Sequence, residues 1–201
     1  MVRKILGTRD YVQTTQTADN TTRSMIKHLY LQLIGDHPKV PWRNLVFQNT
    51  ARPKTIFIMW LQIQNRSLTA DRLSKWNIQL DPTYQMCHSA NNTRDHLFFE
   101  CTFAHSIWQR LMQWLQFQWP AVQSWQLQYQ IILQVTKGKT MQAKMFRLVY
   151  SEFIAAIWWE RNTRIFEKRE KHGEQIAREI ACLCNVRAPP TVKARLMRCR
   201  F

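Results

Sequence analysis

The chain has 201 residues, 45% of them hydrophobic, which is enough for one sizeable domain or a domain with a small satellite. Its four glycines argue against an all-β sandwich or barrel, which needs many tight turns, and leave no glycine-rich phosphate loop. Lys and Arg number 29 against 13 Asp and Glu, and the formal charge of +16 favours polyanionic partners, chiefly nucleic acids. A charge that serves only solubility and an acidic membrane surface are the alternatives.

Three features indicate where the protein resides. The first seven residues contain two cations but no apolar stretch of the kind found in a signal peptide. No apolar run approaches the roughly 18 residues that a membrane helix needs. Five cysteines, an odd number, fit a reducing compartment better than a disulfide framework. We therefore expect a nuclear or cytoplasmic protein that is neither secreted nor inserted in a membrane.

The first half of the chain predicts helices separated by polar segments. Residues 1–23 are mostly polar and predict a flexible N-terminal segment. A helix is expected from Ser24 to Gly35. Pro53 suits the first turn of the next helix, where its missing N–H costs nothing. The apolar run 56–61 could form a buried strand, but the apolar pattern that continues beyond it favours a buried helix.

A short helix and a polar loop are predicted next. Thr69 is positioned as the N-cap, and Asp71 lies in the first turn, where the helix dipole favours an anion. This helix should end near Trp76. The polar loop 77–93 follows it and contains Cys87.

The second half predicts four further helical segments, the first of them amphipathic. It begins near Phe103 and ends before Pro120, with apolar residues at helical spacing: Ala104, Ile107, Trp108, Leu111, Met112 and Leu115. Further helices are expected over 125–135, 142–171 and 174–184, of which 142–171 is the longest.

The tryptophans of this half have two interpretations. Exposed tryptophans could stack on nucleic-acid bases. Trp108 falls on the apolar face of its helix, and a structural role is also the favoured interpretation for Trp114, Trp119 and Trp125.

Cys87, His96 and Cys101 form a group with metal-ligand chemistry. Structural zinc takes four Cys or His ligands, usually as two pairs, and the four-residue gap between His96 and Cys101 suits the second pair. A Cys-x-x-Cys first pair would need a cysteine at position 84, where the chain has Tyr84. The phenol of tyrosine stays protonated near neutral pH, which makes it a poor ligand. Spacing alone leaves open that both cysteines are buried hydrophobes and the histidine caps a helix.

Two other histidines could complete the set. His88 adjoins Cys87, and adjacent residues rarely point at one metal. His105 lies one helical turn beyond Cys101. His105 is therefore a further candidate.

The residues around this group resemble a known family. Cys87, the run His96-Leu97-Phe98-Phe99-Glu100-Cys101 and Trp108 resemble the zinc-binding domain downstream of the reverse transcriptase in plant LINE-type (non-LTR) retrotransposons. That pattern is Cys-x-x-Cys, a short loop, His-Leu-Phe-x-x-Cys and a Trp seven residues on. Other segments are similar to the same reading frames: Trp42 to Phe47, Pro53-Lys54, Trp60-Leu61, Asp71 to Leu73 and Trp158 to Phe166.

The resemblance implies a C-terminal fragment of a longer retrotransposon polyprotein, with the polymerase domain upstream as a partner. It carries Cys87, His96 and Cys101 over as zinc ligands and places the family's first ligand at Tyr84. The expected zinc site is therefore degenerate and binds zinc weakly, with water as the fourth ligand, or not at all. No two aspartates are adjacent, so the chain lacks the Asp-Asp pair of polymerases, and we expect no enzyme.

Four cations are candidates for nucleic-acid binding on the predicted 142–171 helix: Arg161, Arg164, Lys168 and Lys171. Their spacing would place them on one helix face, where they could follow the phosphate backbone of RNA or DNA without sequence specificity. The alternative is a solvated face with Glu160–Arg164 and Glu167–Lys171 pairs. For the whole chain, the competing hypothesis is a vestigial or protein-interaction helical domain that binds neither zinc nor nucleic acid.

Together these patterns predict a mainly α fold, an irregular helical domain with a small, degenerate zinc-knuckle-like loop. The expected division is a flexible segment 1–23, a domain like the reverse-transcriptase zinc-binding domain over 24–118, a helical extension 119–188 and a basic tail 189–201. The two prolines at 189 and 190 are read as a break, and the basic tail from Lys193 to Arg200 is expected to be disordered and to add non-specific affinity.

Overall fold

The computed structural model describes residues 38–78, 86–87, 92–120, 124–199 and 201. These residues contain helices and no strand, which confirms the mainly α prediction. The chain divides into two units, Met1–Val40 and Pro41–Phe201, and every helix of the described residues lies in the second. The predicted flexible segment 1–23 and the helix predicted from Ser24 lie outside the described residues.

Eight α-helices and one π-helix make up the regular structure of the described residues. The α-helices are α1 Arg43–Phe47, α2 Pro53–Ile63, α3 Ala70–Ser74, α4 Thr102–Trp114, α5 Trp125–Val135, α6 Met141–Glu167, α7 Gly173–Arg187 and α8 Pro190–Leu196. The π-helix, His96–Glu100, lies directly before α4.

The two helices predicted around residues 53–76 are both present. Pro53 opens α2, so the apolar run is helical as predicted, and its buried face packs on α6. Thr69 occupies the N-cap position of α3. Its hydroxyl donates to the Ser67 carbonyl, 3.4 Å away, instead of accepting from a helix N–H. The helix ends at Ser74, two residues before the predicted limit.

The long helix α6 organises the fold, because it contacts α2, α4, α5, α7, α8 and the π-helix. Its length was overpredicted: it ends at Glu167, and Lys168 takes a left-handed conformation with φ 54°. The backbone N–H of Lys171 then donates to Oε1 of Glu160, 2.8 Å away, which turns the chain back along the helix. Neither α6 nor any other helix in the described part of the chain is both long and apolar enough to cross a membrane.

Trp108 lies at the centre of an aromatic cluster that joins α4 to α6. Its ring meets Phe146, Tyr150 and Phe153 of α6 at centroid distances of 5.7, 5.8 and 4.9 Å, and Trp119 at 5.2 Å. Edge-to-face packing of this kind stabilises a core beyond the area it buries. The predicted structural role of Trp108 is thus confirmed.

The other tryptophans of this region are also structural. Trp114 and Trp125 are 3% and 9% exposed. The indole N–H of Trp119, which is half-buried, donates to Oε1 of Gln128, 3.2 Å away. None of them presents an open ring for base stacking.

The predicted disorder of the tail from Lys193 to Arg200 is wrong for its described residues, since α8 extends to Leu196. Pro190 stands in the first turn of α8, where proline favours a helix, and Val192 and Leu196 are buried. The indole N–H of Trp114 donates to the Cys199 carbonyl, 3.0 Å away. The amphipathic spacing of Val192 and Leu196 was the sequence signal for this helix, and the prolines obscured it.

Candidate metal centre

The structure brings the three predicted ligands together. Sγ of Cys87, Nε2 of His96 and Sγ of Cys101 lie within 4.8 Å of one another, with 3.1 Å between the Cys87 and His96 atoms. Ligand atoms of a tetrahedral zinc lie about 3.5–3.8 Å apart, as its bond lengths require. The donor set therefore fits a zinc ion after small side-chain adjustments. No other His, Cys, Asp or Glu of the described residues joins the group, and Tyr84 and His88 lie outside those residues.

The π-helix explains why a four-residue gap suits the His–Cys pair. The backbone N–H of Cys101 donates to the His96 carbonyl, 2.9 Å away, five residues earlier. This wider turn brings the side chains of His96 and Cys101 to the same side of the chain. Such π-turns are frequent at functional sites. Thr93 fixes the start of the turn, since its hydroxyl accepts from the His96 N–H at 3.2 Å and its carbonyl from the Leu97 N–H at 2.9 Å.

Cys101 joins the π-helix to α4 and is completely buried at the N-cap position. Burial raises the pKa of its thiol to about 11; the first-turn N–H groups of Ala104 and Phe103 oppose the rise and the neighbouring Cys87 adds to it. At neutral pH the thiol is therefore protonated unless a cation takes the proton's place. A bound divalent metal deprotonates such a thiol, so the centre is suited to a metal and not to a free thiolate.

His96 is in the protonation state that a metal requires. The side chain is 8% exposed, and burial lowers its pKa, partly opposed by the charge of Glu100. A neutral imidazole offers a lone pair to a metal, whereas an imidazolium does not. The buried imidazole and the two thiols thus form a sulfur–nitrogen donor set of the kind that zinc prefers.

Arg161 of α6 connects the metal centre to the long helix. It is 3% exposed, and its Nε and Nη2 donate to the side-chain oxygen of Asn92 at 3.2 and 2.9 Å, in the amide orientation that satisfies both groups. Nη1 donates to Oδ1 of Asn162 at 2.8 Å, and the guanidinium lies 5.1 Å from the centre of the Trp158 ring. Because Asn92 precedes His96 by four residues, this contact holds the segment that leads into the ligands.

Arg164 contacts the first turn of α4, next to Cys101. Its Nε donates to Oε1 of Glu160 at 2.7 Å, and its guanidinium lies 4.6 Å from the centre of the Phe103 ring. Phe103 follows Cys101 by two residues, and the Arg164 side chain is only 10% exposed. The Glu160–Arg164 pair was the alternative that the sequence predicted for this helix.

The predicted single cationic face of the long helix is therefore wrong. Arg161 is buried against Asn92, Arg164 is mostly covered, and Lys168 and Lys171 lie beyond the end of α6. Lys171 pairs with Glu179 of α7 at 2.7 Å and not with Glu167. Whether these four residues bind nucleic acid is a separate question, and that role stays a prediction.

The described residues thus define a helical domain in which Cys87, His96 and Cys101 form a group that could hold a metal ion. Residues 25–108 match the family model for the zinc-binding domain in reverse transcriptase. The matched range includes Cys87, His96, Cys101, Trp108 and the position of Tyr84, and it confirms the resemblance to that domain. Comparisons with curated proteins and with solved structures gave no significant match.

Sequence reasoning missed the supporting role of Asn92 and Arg161. The resemblance had marked the segment from Trp158 to Phe166 without assigning it a role at the zinc loop. Its two arginines among apolar neighbours were the available signal, because an arginine on a buried face needs a partner.

Proposed function

We propose that the chain is a non-catalytic nucleic-acid-binding module derived from the reverse-transcriptase polyprotein of a retrotransposon. The match over residues 25–108 supports the origin. The observation that carries nucleic-acid binding is the charge of +16, because a field of that sign attracts polyphosphates without regard to sequence. RNA and DNA are both expected ligands, in the nucleus or the cytoplasm, and the upstream polymerase of the parental element is the expected protein partner.

Zinc is the proposed cofactor, held by Cys87, His96 and Cys101. When bound, it would supply a structural cross-link between the loop that carries Cys87 and the start of α4. Tyr84 occupies the position of the family's first ligand, so we propose a degenerate centre with three protein ligands, weaker than one with four. In this proposal Arg161 and Asn92 position the loop whether or not zinc is present.

The salt dependence of binding tests the proposal. Purified protein is titrated into fluorescein-labelled single-stranded RNA and DNA at a series of salt concentrations, with fluorescence anisotropy as the signal. Binding should be measurable at low salt, and the logarithm of the association constant should fall linearly with the logarithm of salt concentration. Undetectable binding at low salt, or an affinity that salt leaves unchanged, would support the competing vestigial or protein-interaction domain.

The non-catalytic part of the proposal has its own test. The same oligonucleotides are incubated with the protein, magnesium and deoxynucleotides and then separated on a denaturing gel. Unchanged lengths are expected. Reproducible cleavage or extension that co-purifies with the protein would contradict this part and leave the binding result intact.

A further inference from the structure

We propose that single-stranded nucleic acid binds to one particular surface, an aromatic strip on α2, α3 and the turn that follows. The strip consists of Phe57, Trp60, Arg66, Arg72 and Trp76. This inference rests on the proposed function and assigns it a surface other than the four cations near the end of α6. The ligand is a single strand of RNA or DNA, recognised by stacking and charge.

Each half of the strip places a cation beside an aromatic ring. Phe57 stacks on Trp60 with ring centres 5.9 Å apart, and the Arg66 guanidinium lies 5.8 Å from the centre of the Trp60 ring. The Arg72 guanidinium lies 5.6 Å from the centre of the Trp76 ring. Each half of the strip therefore presents a flat apolar face beside a positive charge.

A backbone contact joins the two halves. Nη1 of Arg72 donates to the carbonyl of Asn65, the residue that directly precedes Arg66. Asn65 itself has a left-handed conformation, with φ 53°, where the chain leaves α2. The Arg72 side chain is thereby attached to the turn that leads into Arg66, so one contact links α3 to the end of α2.

The exposure of the aromatic rings in the strip supports a role in ligand binding. Trp76 and Phe57 are each 55% exposed. All nine tryptophans lie in the described residues, and Trp76 is the exposed one among them, since the others are buried or half-buried. Large rings left in water beside cations are typical of a binding surface, whereas a ring that serves the core is covered.

The charge of the strip suits a polyphosphate. Over residues 57–76 the chain has Arg66, Arg72 and Lys75 against a single acid, Asp71. Bases stack on the aromatic faces while phosphates meet the cations, as in proteins that bind single strands without sequence preference. A duplex already stacks its bases on one another and cannot offer them to these rings, so a single strand should bind more tightly.

The test compares variants in the anisotropy assay with a labelled twenty-nucleotide oligo(dT), after circular dichroism has confirmed an unchanged fold. Trp76→Ala and Phe57→Ala remove one stacking ring each. Affinity should fall by roughly 5-fold to 150-fold for each ring, because one base–aromatic stack is worth about 1–3 kcal/mol. Trp76→Phe keeps a ring and should retain most of the affinity. Phe166→Ala, which removes a 70% exposed ring on α6, is the matched control and should change affinity by less than about twofold.

The cations are tested through the salt dependence of binding. Arg66 is exposed, so Arg66→Gln removes the charge and its contact with the Trp60 ring but leaves the core unchanged. The slope of log association constant against log salt should become shallower by about 0.7, the value for one phosphate of a single strand. Lys144→Gln, an exposed cation on α6, is the control and should leave the slope unchanged.

The outcomes separate this inference from the proposed function. If the unmodified protein binds neither oligo(dT) nor single-stranded RNA, both are wrong. If it binds, and Trp76→Ala and Phe57→Ala behave like Phe166→Ala, the strip is wrong and the proposed function stands. Equal losses of affinity for single-stranded and duplex DNA would contradict base stacking, whereas losses confined to the single strand would support it.

Discussion

Arg161 and Asn92 are joined side chain to side chain by two hydrogen bonds of 3.2 and 2.9 Å in the interior of the protein. The contact spans from α6 to the segment that enters the metal centre, although the family match ends at residue 108. The contact therefore ties the stability of the region that matches the family to the presence of α6. A truncation that removes α6 should destabilise the segment around Asn92.

The first prediction concerns this pair. Arg161→Ala leaves the Asn92 side chain without its donors and should lower the free energy of unfolding by about 2–4 kcal/mol, as for other buried charged hydrogen bonds. Urea denaturation followed by far-UV circular dichroism measures the change. The control is Arg178→Ala on α7, whose side chain is 68% exposed, and its effect should stay within about 0.5 kcal/mol.

A double-mutant cycle tests whether the two residues act together. Asn92→Ala should also destabilise the protein, and combining it with Arg161→Ala should cost less than the sum of the single changes, because both remove the same contact. Strictly additive effects would show that each residue acts through other neighbours. Zinc affinity, measured in parallel, should fall in both single variants.

Individual helices could be predicted from the sequence because the spacing of apolar residues within each segment indicates its helix and its buried face. The bounds 125–135 for α5 match the structure, and Trp108 lies in the core as its spacing required. The i, i+3, i+7 spacing of Arg161, Arg164 and Lys168 is also helical. The spacing of residues on a helix does not show which of its faces is buried by another segment. Arg161 is buried by its contact with Asn92, which lies 69 residues away in the chain.

The ends of elements were harder to predict for a related reason. The helix α6 ends at Glu167, and no glycine or proline at Lys168 signals this in the sequence. The helix ends there because the backbone N–H of Lys171 donates to the Glu160 carboxylate. That contact depends on tertiary geometry. At the candidate metal centre, in contrast, the grouping of Cys87, His96 and Cys101 could be predicted, since their spacing and flanking residues resemble a family pattern.

The second prediction concerns Tyr84, which stands where the family has its first zinc ligand. Tyr84→Cys restores the family's first ligand and should tighten zinc binding by more than about tenfold, since even residues outside the coordination sphere change metal affinity by that much. Zinc content by elemental analysis and competition with a chromophoric chelator measure it. Tyr84→Phe is the matched control, because it alters the same side chain without adding a ligand, and it should leave the affinity unchanged.

Two results would contradict parts of this assignment. Full zinc occupancy in the unmodified protein, with an affinity equal to that of Tyr84→Cys, would show that the centre is not degenerate. A Tyr84→Cys protein that gains neither zinc affinity nor thermal stability would show that position 84 is not the first ligand position.

The third prediction uses the cysteines of α7. Cys182 is exposed, whereas Cys184 is completely buried, and burial holds the pKa of its thiol well above the ordinary value. Alkylation requires an accessible thiolate, so Cys182 should react with iodoacetamide under native conditions and Cys184 only after denaturation. Peptide mass spectrometry of timed samples measures both rates, and Cys182→Ser should abolish the fast reaction of this helix. Equal labelling of the two residues would place α7 in a different orientation.

The last prediction concerns alkaline pH and a buried tyrosine. Tyr150 of α6 is 1% exposed, its hydroxyl donates to Oε1 of Gln62 at 3.2 Å, and burial raises its pKa far above the ordinary value near 10. Above about pH 10 the unfolded chain releases this proton while the folded protein keeps it. The unfolded state then binds fewer protons, so stability that is complete below pH 10 falls as the pH rises, by up to about 1.4 kcal/mol per pH unit for this group.

Tyr150→Phe separates this effect from the titration of other groups. At neutral pH the variant should be less stable by about 1 kcal/mol, because Gln62 loses its hydrogen bond. Above pH 10 its free energy of unfolding, from urea denaturation at a series of pH values, should fall less steeply than that of the unmodified protein. The two curves should therefore converge with rising pH. Parallel curves would contradict this prediction, because they would mean that the hydroxyl of Tyr150 has the same pKa in the folded and unfolded states.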